Sequence, residues 1–216
     1  ERGLSVTLFE ERDHVGGQFD MAMRIPGKEE FTETIRFFTG ELERLEVEVR
    51  LGVRARIEDL QGFDEIIIAT GVTPRIPEVT GVDLPHVASY AEVLRGEKVA
   101  GERVVILGAG GIGFDTAQFL TMTGTRTSLD REAFHDSWGV TLDEHVPGNL
   151  TGINAEPAAR SVTMLQRKAS KAGAGLGLTT GWIHRAEVQR RGVQTVVGVQ
   201  YDEIVPEGIR VTVDGA

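Results

Sequence analysis

The chain of 216 residues contains no cysteine. Within these residues that excludes a dithiol redox pair, a thiolate zinc site and a cysteine-ligated iron–sulfur cluster. No uninterrupted apolar stretch reaches bilayer-spanning length and no signal-like segment opens the chain, so no membrane partner is expected. Positive charge is scarce: 23 Lys and Arg stand against 33 Asp and Glu, a net charge of −10. Contacts to a nucleic-acid backbone need a local basic excess that this balance does not suggest, so no nucleic-acid partner is expected either. A cytoplasmic address fits these absences. No G-x-S-x-G occurs, which argues against a serine hydrolase. The small-residue stretch "KASKAGAGLGLTTG" has no Lys before its Thr pair and does not read as a P-loop. Among five histidines only His135 and His145 approach a short ligand spacing, and Asp136, Asp143 and Glu144 make a solvated loop the better reading, so no metal is expected. An initiator Met is also missing. The opening "ERGLSVTLFEE" reads like the tail of a helix followed by a strand, which gives the expectation that the residues begin inside a domain.

What is present is an ordinary globular composition, 40% hydrophobic and 26% charged with 27 glycines, in a length that suits two small domains. The central feature is "VVILGAGGIGFDTAQFL" at 104–120. Gly108, Gly110 and Gly113 form G-x-G-x-x-G. The motif follows a strand-like run and precedes a segment in which Ile112, Ala117 and Leu120 share one helix face. Glycine is required in such a loop because side chains block the tight turn, hold a pyrophosphate away from the helix terminus, or separate helix from strand. The expected guest is a dinucleotide; the alternative is a glycine-rich turn that binds nothing.

Along the chain, residues 5–9 read as a strand, "VGGQ" at 15–18 as a tight turn, and 28–45 as a helix with Phe31, Ile35, Phe38, Leu42 and Leu45 at helical spacing. "VEVRL" and "DEIIIATG" read as strands, and the Pro-rich "VTPRIPEVTG" as a crossover. "SYAEVLRGEKVAGER" reads as a short helix and a polar linker, with the domain boundary near 96–102. The expected architecture is α/β: two Rossmann-like dinucleotide-binding parts, 1–97 and 98–216, both incomplete. The second carries an insertion near 121–160, because its next strand, 161–166, returns far later than a plain βαβ unit allows.

The strand ends differ in charge. "SVTLFEE" ends in Glu10, whereas "SVTMLQRK" ends in Gln166, Arg167 and Lys168. A carboxylate at this place accepts hydrogen bonds from free ribose hydroxyls, as in FAD, while Arg or Lys accommodates a 2′-phosphate, as in NADP. Taken singly, each also reads as a solvated surface residue.

"LFEERDHVGGQF", "RIPGKEEF", "IIIATGVTPRIP", "GAGGIGFDTAQFL", "MLQRKASK" and "TTGWIH" together resemble the C-terminal flavoprotein part of bacterial NADPH-dependent 2,4-dienoyl-CoA reductases, over nearly the whole chain. The resemblance implies the electron-input portion of a relay in β-oxidation. NADPH reduces FAD, an iron–sulfur cluster and FMN carry the electrons on, and an N-terminal barrel reduces the unsaturated fatty acyl-CoA. Only the FAD and NADP(H) portions have counterparts here, so this chain alone is expected to be inactive on acyl-CoA. By the same resemblance Glu10 binds the FAD ribose, Gln18 the flavin nucleotide, and Ala55 the adenine through its backbone. Ala69, Thr70 and Gly71 bring a strand end against FAD. Gly108, Gly110, Gly111 and Gly113 take the NADPH pyrophosphate, and Arg167 and Lys168 its 2′-phosphate, with Lys171 and Arg185 as further cations nearby. No catalytic acid or base is implied. Leu178 departs from the family's Lys, and the family's first glycine loop would precede Glu1, just as the stretch completing both domains would follow Ala216. The other readings are a related flavoprotein module, trimethylamine-dehydrogenase-like or glutamate-synthase-like, and a nucleotide-binding module without turnover.

Overall fold

Where the chain alternates short apolar runs with amphipathic segments, the computed structural model forms strands and helices; it describes residues 2–124, 126–153 and 156–213. Two compact units emerge, one from Glu1–Arg24 and Lys28–Thr73, the other from Ile25–Gly27 and Pro74–Ala216.

In the first unit, β1 (Thr7–Phe9) pairs in parallel with β2 (Glu48–Arg50). Helices α1 (Gln18–Ala22) and α2 (Phe31–Arg44) lie between them in sequence. Phe19 of α1 stacks on Phe31 of α2 with ring centroids 4.7 Å apart. The apolar stripe expected along α2 is only half covered: Ile35 and Leu42 are half-buried, whereas Phe38 is exposed. Two strands are too narrow a platform for the full stripe. "DEIIIATG" is not a strand here. Among the described residues nothing pairs with 64–71, and Ile67 and Ile68 are 89% and 84% exposed. An apolar run becomes a strand only when a neighbour supplies its ladder hydrogen bonds.

The second unit holds the main core. Strands β3 (Arg103–Leu107), β4 (Ser161–Gln166) and β5 (Gln194–Val197) form a parallel sheet in that order. Between them run α4 (Gly111–Thr121) and α6 (Gly181–Arg190). This is an α/β fold of Rossmann-like, dinucleotide-binding type. Phe114, Ala117 and Leu120 of α4 pack on Val162 and Met164 of β4, all at most 2% exposed. Ile112 is not on this face. It is 53% exposed, because the buried side of α4 is centred on Phe114 and Ala117.

Before the sheet, α3 (Tyr90–Arg95) opens with a capping box: the Ser89 hydroxyl accepts from the Glu92 amide, and the Glu92 carboxylate accepts from the Ser89 amide. Those bonds hold the Glu92 carboxyl below its ordinary range. Segment 74–97 belongs with this unit by contact, since Thr80 accepts a hydrogen bond from the Ile204 amide. The stretch between α4 and β4 contributes α5 (Arg131–Trp138), capped at its start by Asp130 accepting from the Ala133 amide. Its roots are tied down by Arg160, which donates to the Ala100 and Leu120 carbonyls. The Arg190 guanidinium lies 4.5 Å over the Trp138 ring and also pairs with Glu187. The final β6 (Val199–Val205) and β7 (Gly208–Val213) make an antiparallel hairpin.

Candidate dinucleotide-binding site

The parallel sheet of the second unit ends β3 and β4 together, and the glycine loop of 108–113 and the basic pair Arg167 and Lys168 lie at that edge. After β3 the chain turns through Gly108, whose φ of 122° is open to glycine and strained for other residues, and enters α4 at Gly110 with no side-chain cap. The glycines serve two separate purposes. A Cβ on Gly113 would stand 2.2 Å from the Gly108 carbonyl oxygen, so glycine is what lets helix and strand approach. A Cβ on Gly110 would meet nothing within 4 Å, so there glycine leaves open space at the exposed start of the helix. Close packing behind and room in front fit a pyrophosphate against the helix terminus, where backbone N–H groups and the helix dipole favour anions.

Beside this loop, the carbonyl of Ala109 accepts from the Gly173 amide, and the Gly173 carbonyl accepts from Arg185 Nη1 at 3.1 Å. Arg185, a candidate phosphate contact in the sequence, is thus half-buried and engaged with backbone. Lys171 stays exposed, and Leu178 is fully exposed. At the end of β4, Arg167 and Lys168 are exposed. The backbone carrying them is held from several sides. Gln166 Nε2 donates to the Lys168 carbonyl at 2.9 Å and to the Ser170 carbonyl at 2.6 Å, and the Gly198 amide donates to the same Lys168 carbonyl. The Tyr201 hydroxyl donates to the Leu165 carbonyl at 3.0 Å. Burial pushes the Tyr201 phenol above its ordinary pKa, and the nearby Arg167 charge pulls it partly back.

The glycines and the basic strand end are legible in the sequence; Arg185 as a backbone tie, Gly198 and Tyr201 are not. Tyr201 lies 36 residues from Leu165, and no local pattern announces that contact.

In the first unit, Glu10 follows β1 and its Oε1 accepts from the Arg12 amide at 2.9 Å. Gln18 opens α1, and its Nε2 donates to the Val72 carbonyl at 3.3 Å, next to Gly71. Gln18 and the end of the "ATG" segment are therefore brought together. Ala55, Ala69 and Thr70 are exposed, so their backbone is accessible to a ligand. No local pattern announces the buried Asp20, whose carboxylate faces Arg12 at 3.9 Å, His14 at 3.7 Å and Arg24 at 3.4 Å. It lines an open, mostly apolar cavity of about 610 Å³ together with Ile35, Leu42, Val47 and Val49.

A family model described as pyridine nucleotide-disulphide oxidoreductase matches residues 1–216. The chain is 29% identical over 219 residues to a metal reductase of Desulforamulus reducens, a match covering 97% of this chain and 31% of that protein. It is 35% identical over 130 residues to bilirubin reductase of Mediterraneibacter gnavus, covering 59% of this chain and 20% of that one. A solved 2-naphthoyl-CoA reductase in complex with 2-naphthoyl-CoA superposes with a TM-score of 0.77 at 21% identity, over 100% of this chain and 27% of that one, a likeness of fold. The chain spans between a fifth and a third of the length of these proteins.

Proposed function

Because the chain belongs to the pyridine nucleotide-disulphide oxidoreductase family, whose members bind FAD and NAD(P)H, we propose that it is the electron-input module of an NADPH-dependent 2,4-dienoyl-CoA reductase. The observation that carries the nucleotide assignment is the pairing of two glycine environments, filled behind Gly113 and open at Gly110, with a basic strand end at Arg167 and Lys168. Gly108, Gly110, Gly111 and Gly113 hold the pyrophosphate through backbone, and Arg167 and Lys168 take the 2′-phosphate by charge-assisted hydrogen bonds. Glu10 accepts from the FAD ribose, Gln18 and the Ala69–Thr70–Gly71 backbone contact the flavin nucleotide, and Ala55 meets the adenine. The bound cofactors supply the hydride-transfer chemistry, and the protein contributes position and electrostatics. In this reading the unsaturated acyl-CoA is reduced by a barrel domain outside these residues, reached through FMN and an iron–sulfur cluster that this cysteine-free chain does not hold, and the work is cytoplasmic.

A second reading has an observation of its own. The similar proteins are named for different acceptors, bilirubin and metal, while sharing this region. On that reading the module is a general flavoprotein electron-input unit and the electron acceptor is chosen elsewhere in the protein.

Arg167→Ala tests the nucleotide assignment. A charge-assisted hydrogen bond is worth about 1.5–3 kcal/mol, so NADPH affinity should fall roughly 10- to 100-fold with NADH nearly unchanged. Equal weakening of both nucleotides in a fluorescence titration would refute it.

A further inference from the structure

One carbonyl at the edge of the site has two donors. Leu165 O, on the last rung of the β3–β4 ladder, accepts from the Gly108 amide at 2.8 Å and from the Tyr201 hydroxyl at 3.0 Å. A carbonyl offers two lone pairs, and both are used. Gly108 begins the glycine loop, and Leu165 stands two residues before Arg167. Tyr201 therefore joins the hairpin of β6 and β7 to the point where the pyrophosphate loop and the basic strand end diverge.

The hairpin is shaped for this contact. Its register shifts between Tyr201 and Glu203: Tyr201 pairs with Val211 while Glu203 pairs with Arg210, leaving Asp202 as the extra residue. A bulge bends a strand and re-aims the neighbouring side chain at the expense of ladder regularity. The Asp202 carboxylate accepts from the Thr212 hydroxyl, which steadies the bulged strand. Tyr201 is half-buried, and the Arg167 charge partly offsets the rise that burial gives its phenol. Just before the hairpin, the Gly198 amide donates to the Lys168 carbonyl. The backbone on either side of Arg167 is thus tied to the hairpin and its approach, at Leu165 by the Tyr201 hydroxyl and at Lys168 by the Gly198 amide.

We propose that Tyr201 is a specificity-positioning residue: by fastening Leu165 it holds the end of β4 so that Arg167 and Lys168 stand at the adenosine 2′-position, favouring a phosphorylated over an unphosphorylated nucleotide. The inference rests on the NADPH assignment above. Tyr201 touches no ligand in this scheme and acts through the strand.

The test uses the full chain, with NADP+ and NAD+ titrated against wild type, Tyr201→Phe and Arg167→Ala, and melting followed by circular dichroism. Tyr201→Phe keeps the ring and removes one hydrogen bond, so preference for NADP+ should fall roughly 3- to 10-fold with NAD+ affinity within about 2-fold. A purely structural tie would weaken both nucleotides alike or neither, and either result overturns the proposal. If wild type and Arg167→Ala show the same preference, the NADPH assignment itself fails and the inference falls with it. If Arg167→Ala loses the preference while Tyr201→Phe keeps it, the inference alone is wrong. Should Tyr201→Phe fail to fold, hydrogen exchange on the unaltered chain decides. NADP+ at matched occupancy should slow exchange across residues 199–203 more than NAD+, and equal protection overturns the proposal.

Discussion

Gly113→Ala adds one methyl group at the tightest point between α4 and β3. The new carbon would lie 2.2 Å from the Gly108 carbonyl oxygen and 3.1 Å from its carbonyl carbon, both backbone atoms that no rotamer change can move. Relief requires the start of α4 to lift by about 1 Å, which opens the packing of Phe114 and Ala117 on β4 in an interior of crystal-like density. Such overpacking costs about 1–3 kcal/mol, of which the better helix propensity of Ala returns up to about 1. The melting temperature of the second unit should drop by roughly 2–8 °C. Nucleotide binding should suffer more, about 10-fold or beyond, because the helix start proposed to receive the pyrophosphate moves with the turn. Gly110→Ala is the counterpart. Its Cβ meets nothing within 4 Å and its φ of −92° suits any residue, so stability should stay within about 0.5 kcal/mol. That methyl occupies the open space in front of the loop, so NADPH affinity should still fall about 10-fold or more. Urea or thermal melts with parallel NADPH titrations separate the two effects. The reasoning fails if Gly113→Ala is as stable as wild type, or if Gly110→Ala binds NADPH normally.

Arg185→Ala removes the donor that holds the Gly173 carbonyl beside the glycine loop; NADPH and NADH should weaken together by roughly 3- to 10-fold, with partial recovery in Arg185→Lys. A loss confined to NADPH would mean that Arg185 contacts the 2′-phosphate directly. The Tyr201 phenol is raised in the folded chain, so its contribution to stability is complete below the unfolded pKa of about 10 and is lost as pH rises through the higher folded value. Denaturation above pH 10 should show this extra loss in wild type and not in Tyr201→Phe. Arg190→Ala removes the cation over Trp138 and the Glu187 pair, so it should cost about 1–3 kcal/mol and shift Trp138 emission. With Trp182 already 59% exposed, an unchanged emission spectrum would show that the stack does not hold α5 in solution.

Local pattern was enough to locate the glycine loop. G-x-G-x-x-G between an apolar run and an amphipathic one specifies strand, turn and helix by short-range sterics, and the sequence alone put β4 at 161–166, where it is found. The basic residues ending that strand were equally legible, because strand ends are set by the same local alternation. Pairing was not legible in this way. "DEIIIATG" has the composition of a buried strand and lacks a paired neighbour among the described residues, since a ladder depends on what lies alongside. The buried face of α4 excludes Ile112, because a helical period gives spacing and leaves the direction of the core to whatever packs against it. Arg185, on α6, ties a loop, and Tyr201 on a hairpin reaches the carbonyl that also ends the Gly108 bond. These contacts join residues distant in sequence through hydrogen bonds of about 3 Å, a range at which only the folded chain decides which donor meets which acceptor.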